Sequence, residues 1–182
     1  MNGSLYLMIA REAILSTFQH TEFDVERLKK NYPELTRSGA TFVTLTENNR
    51  LRGCIGSLVA HRSLIDDLIS NARYAAFRDP RFKPLAPEEI DQIRVEVSLL
   101  TPPQKVEYTS IDELRTLIRP QVDGVILRLG NHQATFLPQV WEDLDDFDEF
   151  FAHLGHKAGL GSDPLSYEPE IYTYQVEKFK EA

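Results

Sequence analysis

The chain has 182 residues, of which 42% are hydrophobic and 26% are charged, and its formal net charge is −8. This composition is ordinary for a globular protein and excludes disorder, collagen and coiled coil as the main organisation. The acidic balance argues against a general nucleic-acid binder, which needs a basic surface, and against attraction to an anionic membrane. The length predicts one domain, or two lobes that share a core, over residues 1–182.

The chain has a single cysteine, Cys54, which cannot form an internal disulfide. Such cysteine usage is typical of a reducing compartment, and the apolar run at 5–10 is too short to span a membrane. We therefore expect a soluble, cytoplasmic protein. We expect neither a cofactor nor a metal, because the sequence has no nucleotide fingerprint and the pair His153 and His156 lacks a third ligand at a recognisable spacing.

Apolar periodicity predicts a first helix over 4–19, capped by Ser4. A polar stretch rich in turn residues follows over 22–40. Residues 41–46 are β-branched or aromatic and predict a strand, which forms a hairpin with a second strand that includes 52–56.

The next helix has the clearest signals. Ser63 and Asp66 form the start of a capping box, apolar residues recur at helical spacing, and Pro80 ends the helix. A short helix from Pro87 and a strand over 94–100 follow.

The second half of the chain repeats this kind of order of predicted strands and helices. The predicted elements are a helix that opens at Ser110, strands over 124–129 and 134–137, a helix that opens at Asp146, and a terminal strand over 171–179. A shift of 83 residues places hairpin over hairpin and helix over helix without a gap, so that Leu64 falls on Phe147. This pattern predicts two repeat-like segments, at about 41–77 and 124–160.

Residues 51–56, with the sequence LRGCIG, are the most informative stretch for function. Gly53 and Gly56 flank the thiol of Cys54 and allow a close approach of the backbone to a ligand. Strand alternation places Arg52 on the same face as Cys54, where the cation would favour a thiolate. The alternative is that Cys54 is a small packed hydrophobe, as free cysteines usually are, and no base is adjacent to it in the sequence.

Other polar residues are candidates for the same site. Asp79 and Arg81 follow the main helix, where Arg81 either pairs with Asp79 or binds a carboxylate or phosphate in a planar fork. Glu96 lies with Ser98 on the polar side of its strand. Gln139 is a polar point within an apolar, aromatic segment at 134–142.

Six short segments carry a resemblance to a known family. In chain order they are FVTL at 42–45, LRGCIG at 51–56, DPRF at 79–82, EVS at 96–98, ATFLPQVWE at 134–142 and KAGL at 157–160. In these segments the chain resembles the AMMECR family, known in prokaryotes as AmmeMemoRadiSam system protein A. The resemblance extends over nearly the whole chain. One departure is the turn at 47–50, ENNR, where many members have a lysine–glycine type turn.

The resemblance implies an α+β fold, in which duplicated strand-and-helix units share one barrel-like, mainly antiparallel sheet in two unequal subdomains. It also implies a groove between the subdomains, lined by Arg52, Cys54, Asp79, Arg81 and Glu96. The family name implies company with a Memo-type protein and a radical S-adenosylmethionine protein. The role of protein A itself is not established in the family.

Two hypotheses follow for this groove. In the first, the protein is an enzyme of group transfer: Cys54 is the nucleophile, Glu96 or a water moves the proton, and Arg81 with Gln139 holds an anionic or amide group. Here Arg52, Gly53 and Asp79 complete the substrate-binding set.

In the second hypothesis, the protein is a binding or adaptor module. The same groove recognises a small molecule or a protein segment, and Cys54 is a wall residue. The absence of a base next to the thiol and of any cofactor motif in the sequence favours this reading.

Overall fold

The computed structural model describes residues 3–182, which form five α-helices and eight β-strands. The helices are α1 (Gly3–Gln19), α2 (Val25–Asn31), α3 (Leu64–Phe77), α4 (Ile111–Leu117) and α5 (Phe147–Ala158). The strands are β1 (Ala40–Glu47), β2 (Arg50–Gly56), β3 (Ile93–Leu100), β4 (Gln104–Lys105), β5 (Gly124–Leu129), β6 (His132–Phe136), β7 (Glu170–Tyr174) and β8 (Val176–Lys180).

The strands form two four-stranded sheets, in the orders β2-β1-β3-β8 and β4-β7-β5-β6. The α+β class and the antiparallel pairing expected for the family are confirmed. The single barrel-like sheet is replaced by two sheets, because the terminal strand expected over 171–179 divides at Gln175. There the main-chain N–H of Gln175 donates to Oγ1 of Thr101 (2.7 Å), and its carbonyl accepts from the Thr101 N–H (2.9 Å).

The chain divides into two compact units. The first comprises the residues up to Leu100 together with Glu177–Ala182, and the second comprises Thr101–Val176. Each contains a hairpin, a helix and a third strand that pairs with the first strand of the hairpin. Residues Leu64 and Phe147, which the shift of 83 superimposes, are the first residues of α3 and α5.

The fourth strand of the first sheet, β8, follows the second unit in the sequence. After β3 the chain contributes β4 to the edge beside β7, and after β7 it contributes β8 to the edge beside β3. The chain therefore returns to the first sheet after it has formed the second unit, a feature that the repeat in the sequence does not reveal.

Two local expectations were wrong. The stretch 22–40 contains α2, a helix of seven residues whose two apolar side chains, Val25 and Leu28, are partly buried against the core and are too few to show a helical periodicity. Its N-cap is Asp24, whose carboxylate accepts from the Arg27 N–H at 3.0 Å. Ser4 lies inside α1 and does not precede it. The short helix from Pro87 is a 3-10 helix, Pro87–Glu89.

In the first unit, helices α1 and α3 cover one face of the sheet. Val43, Leu45, Val95 and Val97 point from β1 and β3 into this core and are fully or almost fully buried. Alternation along the strands leaves the opposite face to polar residues, among them those that the sequence singled out.

A buried carboxylate ties α3 to this sheet. Asp67 of α3 is completely buried and accepts from the main-chain N–H and the hydroxyl of Thr41, from Ser57 and from the Arg62 guanidinium, over 2.6–2.8 Å. Asn71, one turn later, donates to the Thr41 carbonyl at 3.1 Å. The network satisfies groups that would otherwise be buried without partners, which would cost about 1–3 kcal/mol each.

Strand β2 contains a bulge that decides where its side chains point. Thr46 pairs with Leu51, whereas Leu45 pairs with Gly53, so Arg52 is an extra residue without a partner on β1. Cys54 is thereby brought opposite Thr44. Simple alternation, on which the expectation that Arg52 and Cys54 share a face rested, therefore does not hold across the bulge at Arg52.

The second unit has its own core. Helix α5 packs on β5 and β6, and Phe150 lies flat against Trp141 with ring centroids 3.6 Å apart. The indole N–H of Trp141 donates to the carbonyl oxygen of Asp123 at 2.8 Å. The apolar segment at 134–142 thus contributes its tryptophan to the core of this unit.

Gly53 lets β2 lie directly against the end of α3. A Cβ atom at this position would collide with the main-chain oxygen of Ala75. We expect Gly53→Ala to lower the free energy of unfolding by about 1–3 kcal/mol, measured by urea denaturation.

Gly130 provides the control. It has a φ of +60° with open space around it, and asparagine tolerates this conformation. We expect Gly130→Asn to change the free energy of unfolding by less than about 1 kcal/mol. Equal losses in the two variants would contradict the close approach at Gly53.

Candidate functional site

Cys54 lies on the polar face of the first sheet, at a point where three strands place side chains side by side. Thr44 on β1 is opposite Cys54 on β2 and opposite Glu96 on β3. The Thr44 hydroxyl is 3.2 Å from the Cys54 sulfur, and the cysteine is partly exposed. The thiol is thus neither fully buried nor fully exposed, and its neighbour across the strands is a hydroxyl group.

Asp79 holds the main chain of Cys54. Its buried carboxylate accepts from the Cys54 N–H at 3.0 Å and from the Arg81 guanidinium at 2.8 Å (Nη2) and 3.0 Å (Nε). Arg81 Nη2 also lies 3.4 Å from the Cys54 carbonyl oxygen, to which it donates. Because β2 is an edge strand, these two main-chain groups point outward, and the Asp79–Arg81 pair occupies the place of a neighbouring strand.

The electrostatics of this pair keep both groups charged. Hydrogen bonds from the Arg81 guanidinium lower the pKa of Asp79 far below its ordinary value of 3.8, against the opposing effect of burial, and the Cys54 N–H adds to the lowering. The bond to Asp79 in turn raises the pKa of Arg81. The Arg81 side chain nevertheless remains 56% exposed, so one edge of a fixed guanidinium faces solvent beside the thiol.

Arg52 has a different partner from the one expected. Its guanidinium binds the Glu89 carboxylate through Nε (2.9 Å) and Nη2 (3.1 Å), and this interaction lowers the pKa of Glu89. Its Nη1 is buried and has no hydrogen-bond partner within residues 3–182. The arginine in contact with Cys54 is therefore Arg81, and the charge of Arg52 is balanced by Glu89.

Glu96 is on the same face as Cys54 but is separated from it by β1. Neighbouring strands lie about 4.8 Å apart, which puts residues two strands apart roughly 10 Å from each other. The Glu96 carboxylate is 3.4 Å from Nζ of Lys180 on β8, the strand on its other side. It is thus paired with a cation, and the residue in contact with the sulfur is Thr44.

Gln139 belongs to the second unit. It lies on a 3-10 helix, Pro138–Glu142, and its side chain is exposed. The other six candidates all belong to the first unit. Of these, the structure joins Cys54, Asp79 and Arg81 by hydrogen bonds, and Gly53 supports them from the helix side.

Two further searches concern the described part of the chain. Among residues 3–182, no three or more His, Cys, Asp and Glu side chains are grouped so as to hold a metal ion. No helix in this range combines the length and apolar character needed to cross a bilayer.

The comparisons with known proteins agree with the motifs. The AMMECR1 family profile matches residues 7–179. The chain belongs to the AMMECR1 family. A relative from Methanothermobacter thermautotrophicus is 43% identical over 85% of this chain and 82% of its own length, and Protein TK0174 of Thermococcus kodakarensis is 35% identical over 98% and 90%.

A solved structure has the same fold. The crystal structure of the uncharacterized protein PH0010 from Pyrococcus horikoshii superimposes with a TM-score of 0.79 at 36% identity, and the match covers 98% of this chain and 91% of that one. The AMMECR1-family protein therefore shares its fold with PH0010, and the names of these relatives state no activity.

Two contact residues were missed in the sequence. Thr44 is part of a strand whose other β-branched residues are structural, and only the bulge at Arg52 brings it opposite Cys54. Glu89 lies 37 residues from Arg52 in a short 3-10 helix. An unbroken register from the turn, where Glu47 pairs with Arg50, would have placed Val43 beside the thiol. Nothing in the sequence pairs Glu89 with Arg52.

The geometry offers an anion-binding edge next to a thiol. Arg81 supplies a guanidinium that is oriented by a buried carboxylate and is open on one side, which suits carboxylate or phosphate groups. The sulfur has one hydrogen-bond contact within the described residues, to Thr44, and this hydroxyl is not a strong base. The arrangement therefore favours recognition over proton abstraction.

Asp79→Asn tests the buried pair through its pH dependence. A carboxylate with a lowered pKa stabilises the fold at pH values above its unfolded pKa of about 4, and this contribution is lost as the pH falls further. At pH 7 we expect the variant to be about 1–3 kcal/mol less stable than the wild type, with a difference that shrinks steadily below pH 4, measured by urea denaturation across pH 2–7.

Asp66→Asn is the control, because Asp66 is an exposed aspartate in the first turn of α3. We expect its effect to stay below about 1 kcal/mol at every pH. A constant difference between wild type and Asp79→Asn from pH 7 to pH 2 would contradict the proposed linkage.

Proposed function

We propose that this AMMECR1-family protein is a binding module that presents the Cys54 site to a ligand or partner segment. It acts in the cytoplasm together with a Memo-type protein and a radical S-adenosylmethionine protein, the company that its family resemblance implies. The observation that carries the proposal is the Asp79 carboxylate, which binds the Cys54 main chain and the Arg81 guanidinium at once. A partly exposed thiol and an exposed cation are thereby fixed next to each other.

The physical argument rests on preorganisation. Arg81 would lose little conformational freedom on binding, since Asp79 already holds its Nε and Nη2. The free edge of the guanidinium, Thr44 and Cys54 then offer a charged donor, a hydroxyl and a polarizable sulfur to one ligand. Glu96 is engaged with Lys180. A binding function, unlike group transfer, needs no proton acceptor beside the thiol.

Arg81→Ala tests the proposal. In mixtures with the Memo-type and radical S-adenosylmethionine proteins of the same genome, we expect this variant to bind at least about tenfold more weakly than the wild type, because a fixed arginine is a typical hot spot. Biolayer interferometry measures the dissociation constants.

Arg119→Ala is a matched control. Arg119 is 60% exposed and pairs with the buried Asp123 at 2.9 Å, just as Arg81 is 56% exposed and pairs with the buried Asp79 at 2.8 Å. We expect its binding to stay within about threefold of the wild type. Undiminished binding by Arg81→Ala, or equal losses in both variants, would refute the role of the site.

A second candidate function is group transfer through Cys54, which the contact with Thr44 favours. A hydroxyl 3.2 Å from the sulfur can donate a hydrogen bond to a thiolate. In such a reaction the sulfur forms a bond to a group carried by a donor molecule, the bond between that group and its leaving group breaks, and the thiol proton goes to the leaving group.

Cys54→Ser separates the two functions. For a binding module, we expect partner affinity within about threefold of the wild type. We also expect, in cells, an unchanged output of the pathway in which the radical S-adenosylmethionine partner acts. Loss of output with normal folding and normal affinity would instead support group transfer. In that case Thr44→Val should also slow the alkylation of Cys54 by iodoacetamide, measured by intact mass, whereas Thr116→Val, at an exposed threonine of α4, should not.

A further inference from the structure

The end of α3 and the loop after it expose several cations next to the Cys54 site. Arg78, Arg81 and Lys83 are exposed, while Asp79, the acidic residue among them, is 4% exposed and turns inward to Cys54 and Arg81. Within residues 3–182, Arg78 and Lys83 take part in no ion pair. This concentration of positive charge occurs in a chain whose net charge is −8.

Aromatic rings hold two of these cations in place. The Arg78 guanidinium lies 5.8 Å from the centre of the Tyr74 ring, one helical turn before it, and the Arg81 guanidinium lies 5.4 Å from the Phe82 ring. Tyr74 is 45% exposed. An arginine stacked on a ring keeps the edge of its fork free for a carboxylate, and exposed tyrosine and arginine together are typical of protein interfaces.

We infer that this basic surface, formed by Tyr74, Arg78, Arg81, Phe82 and Lys83, binds an acidic segment of a partner protein. The inference rests on the proposed function, because it assigns a chemistry to the partner that the Cys54 site receives. Glutamate and aspartate side chains on the segment pair with Arg78 and Lys83. Another carboxylate of the same segment reaches the free edge of Arg81.

The charge of the whole chain favours an acidic peptide over a nucleic acid. A nucleic acid carries a phosphate charge every few ångströms along its length, so most of it would face a molecule with a charge of −8. A short acidic segment, in contrast, would contact only the basic surface and not the acidic rest of the chain. Its attraction would be local, since charges separated by more than about 8–10 Å are screened at physiological salt.

The test uses the full chain with two charge reversals, Arg78→Glu and Lys83→Glu, in one variant. Both residues are exposed and lie outside the hydrogen bonds of the Cys54 site, so the thermal midpoint should stay close to that of the wild type. We expect affinity for the Memo-type or radical S-adenosylmethionine partner to fall at least about tenfold. The control variant carries Arg27→Glu and Lys30→Glu, which reverses two exposed cations of α2 and alters the net charge equally.

The probe for the chemistry is a fluorescein-labelled hexaglutamate peptide, followed by fluorescence anisotropy, with oligothymidylate as the competing class. We expect the peptide to bind the wild type and the α2 control alike, to bind the Arg78→Glu, Lys83→Glu variant more weakly, and to be released by high salt. Stronger binding of oligothymidylate than of the peptide would overturn the inference in favour of a nucleic acid.

The failures can be told apart. If the Arg78→Glu, Lys83→Glu variant binds the partner as well as the wild type while Arg81→Ala does not, the acidic-segment inference is wrong and the proposed function stands. If Arg81→Ala also binds normally, both are wrong. If the α2 control loses as much affinity as the Arg78→Glu, Lys83→Glu variant, the effect comes from net charge and the basic surface has no specific role.

Discussion

The carboxylate of Asp79 is the interaction on which the site depends. An edge strand leaves main-chain donors and acceptors without partners, and these groups invite pairing with other chains. Here the outward N–H and C=O of Cys54 are satisfied by side chains, Asp79 for the donor and Arg81 for the acceptor. One ion pair thus protects the edge of the sheet, fixes the backbone beneath the thiol and orients the cation beside it.

A second constraint makes this arrangement reachable. Gly53 brings β2 against the end of α3, so that the residues directly after the helix, Asp79 and Arg81, arrive beside Cys54. Gly53 of the LRGCIG motif therefore serves the packing of helix on strand. The polar residues of the site follow from that packing, because the helix ends where the strand is closest.

Most of the secondary structure could be predicted from the sequence, since capping residues and hydrophobic periodicity are local signals. Ser63, Ser110 and Asp146 cap their helices as expected, each by accepting from the main-chain N–H three residues later. Helix α2 was not predicted because its seven residues include two apolar side chains, Val25 and Leu28, which are too few to show a helical periodicity. The division of the terminal strand at Gln175 was not predicted, because it depends on a hydrogen bond to Thr101, 74 residues away.

The candidate site could be predicted only in part, for a related reason. Cys54, Asp79 and Arg81 were singled out by residue type and are joined in the fold, but the sequence could not show that Arg52 turns to Glu89. A bulge of one residue changes which side chains share a face, and no composition signal marks it. Alternation placed Glu96 on the correct face. It cannot show that a strand, β1, lies between Glu96 and the thiol.

The place of β8 in the first sheet bears on the order in which the two sheets are completed. The first sheet has three of its strands once Leu100 has been synthesised, yet its fourth strand, β8, is synthesised only after the whole second unit. Until then the outer edge of β3 stays open, and Arg11 on the first helix lacks Glu181, its ion-pair partner. A nascent chain paused in its second half would therefore expose an unpaired sheet edge, the kind of surface that ribosome-associated chaperones shield.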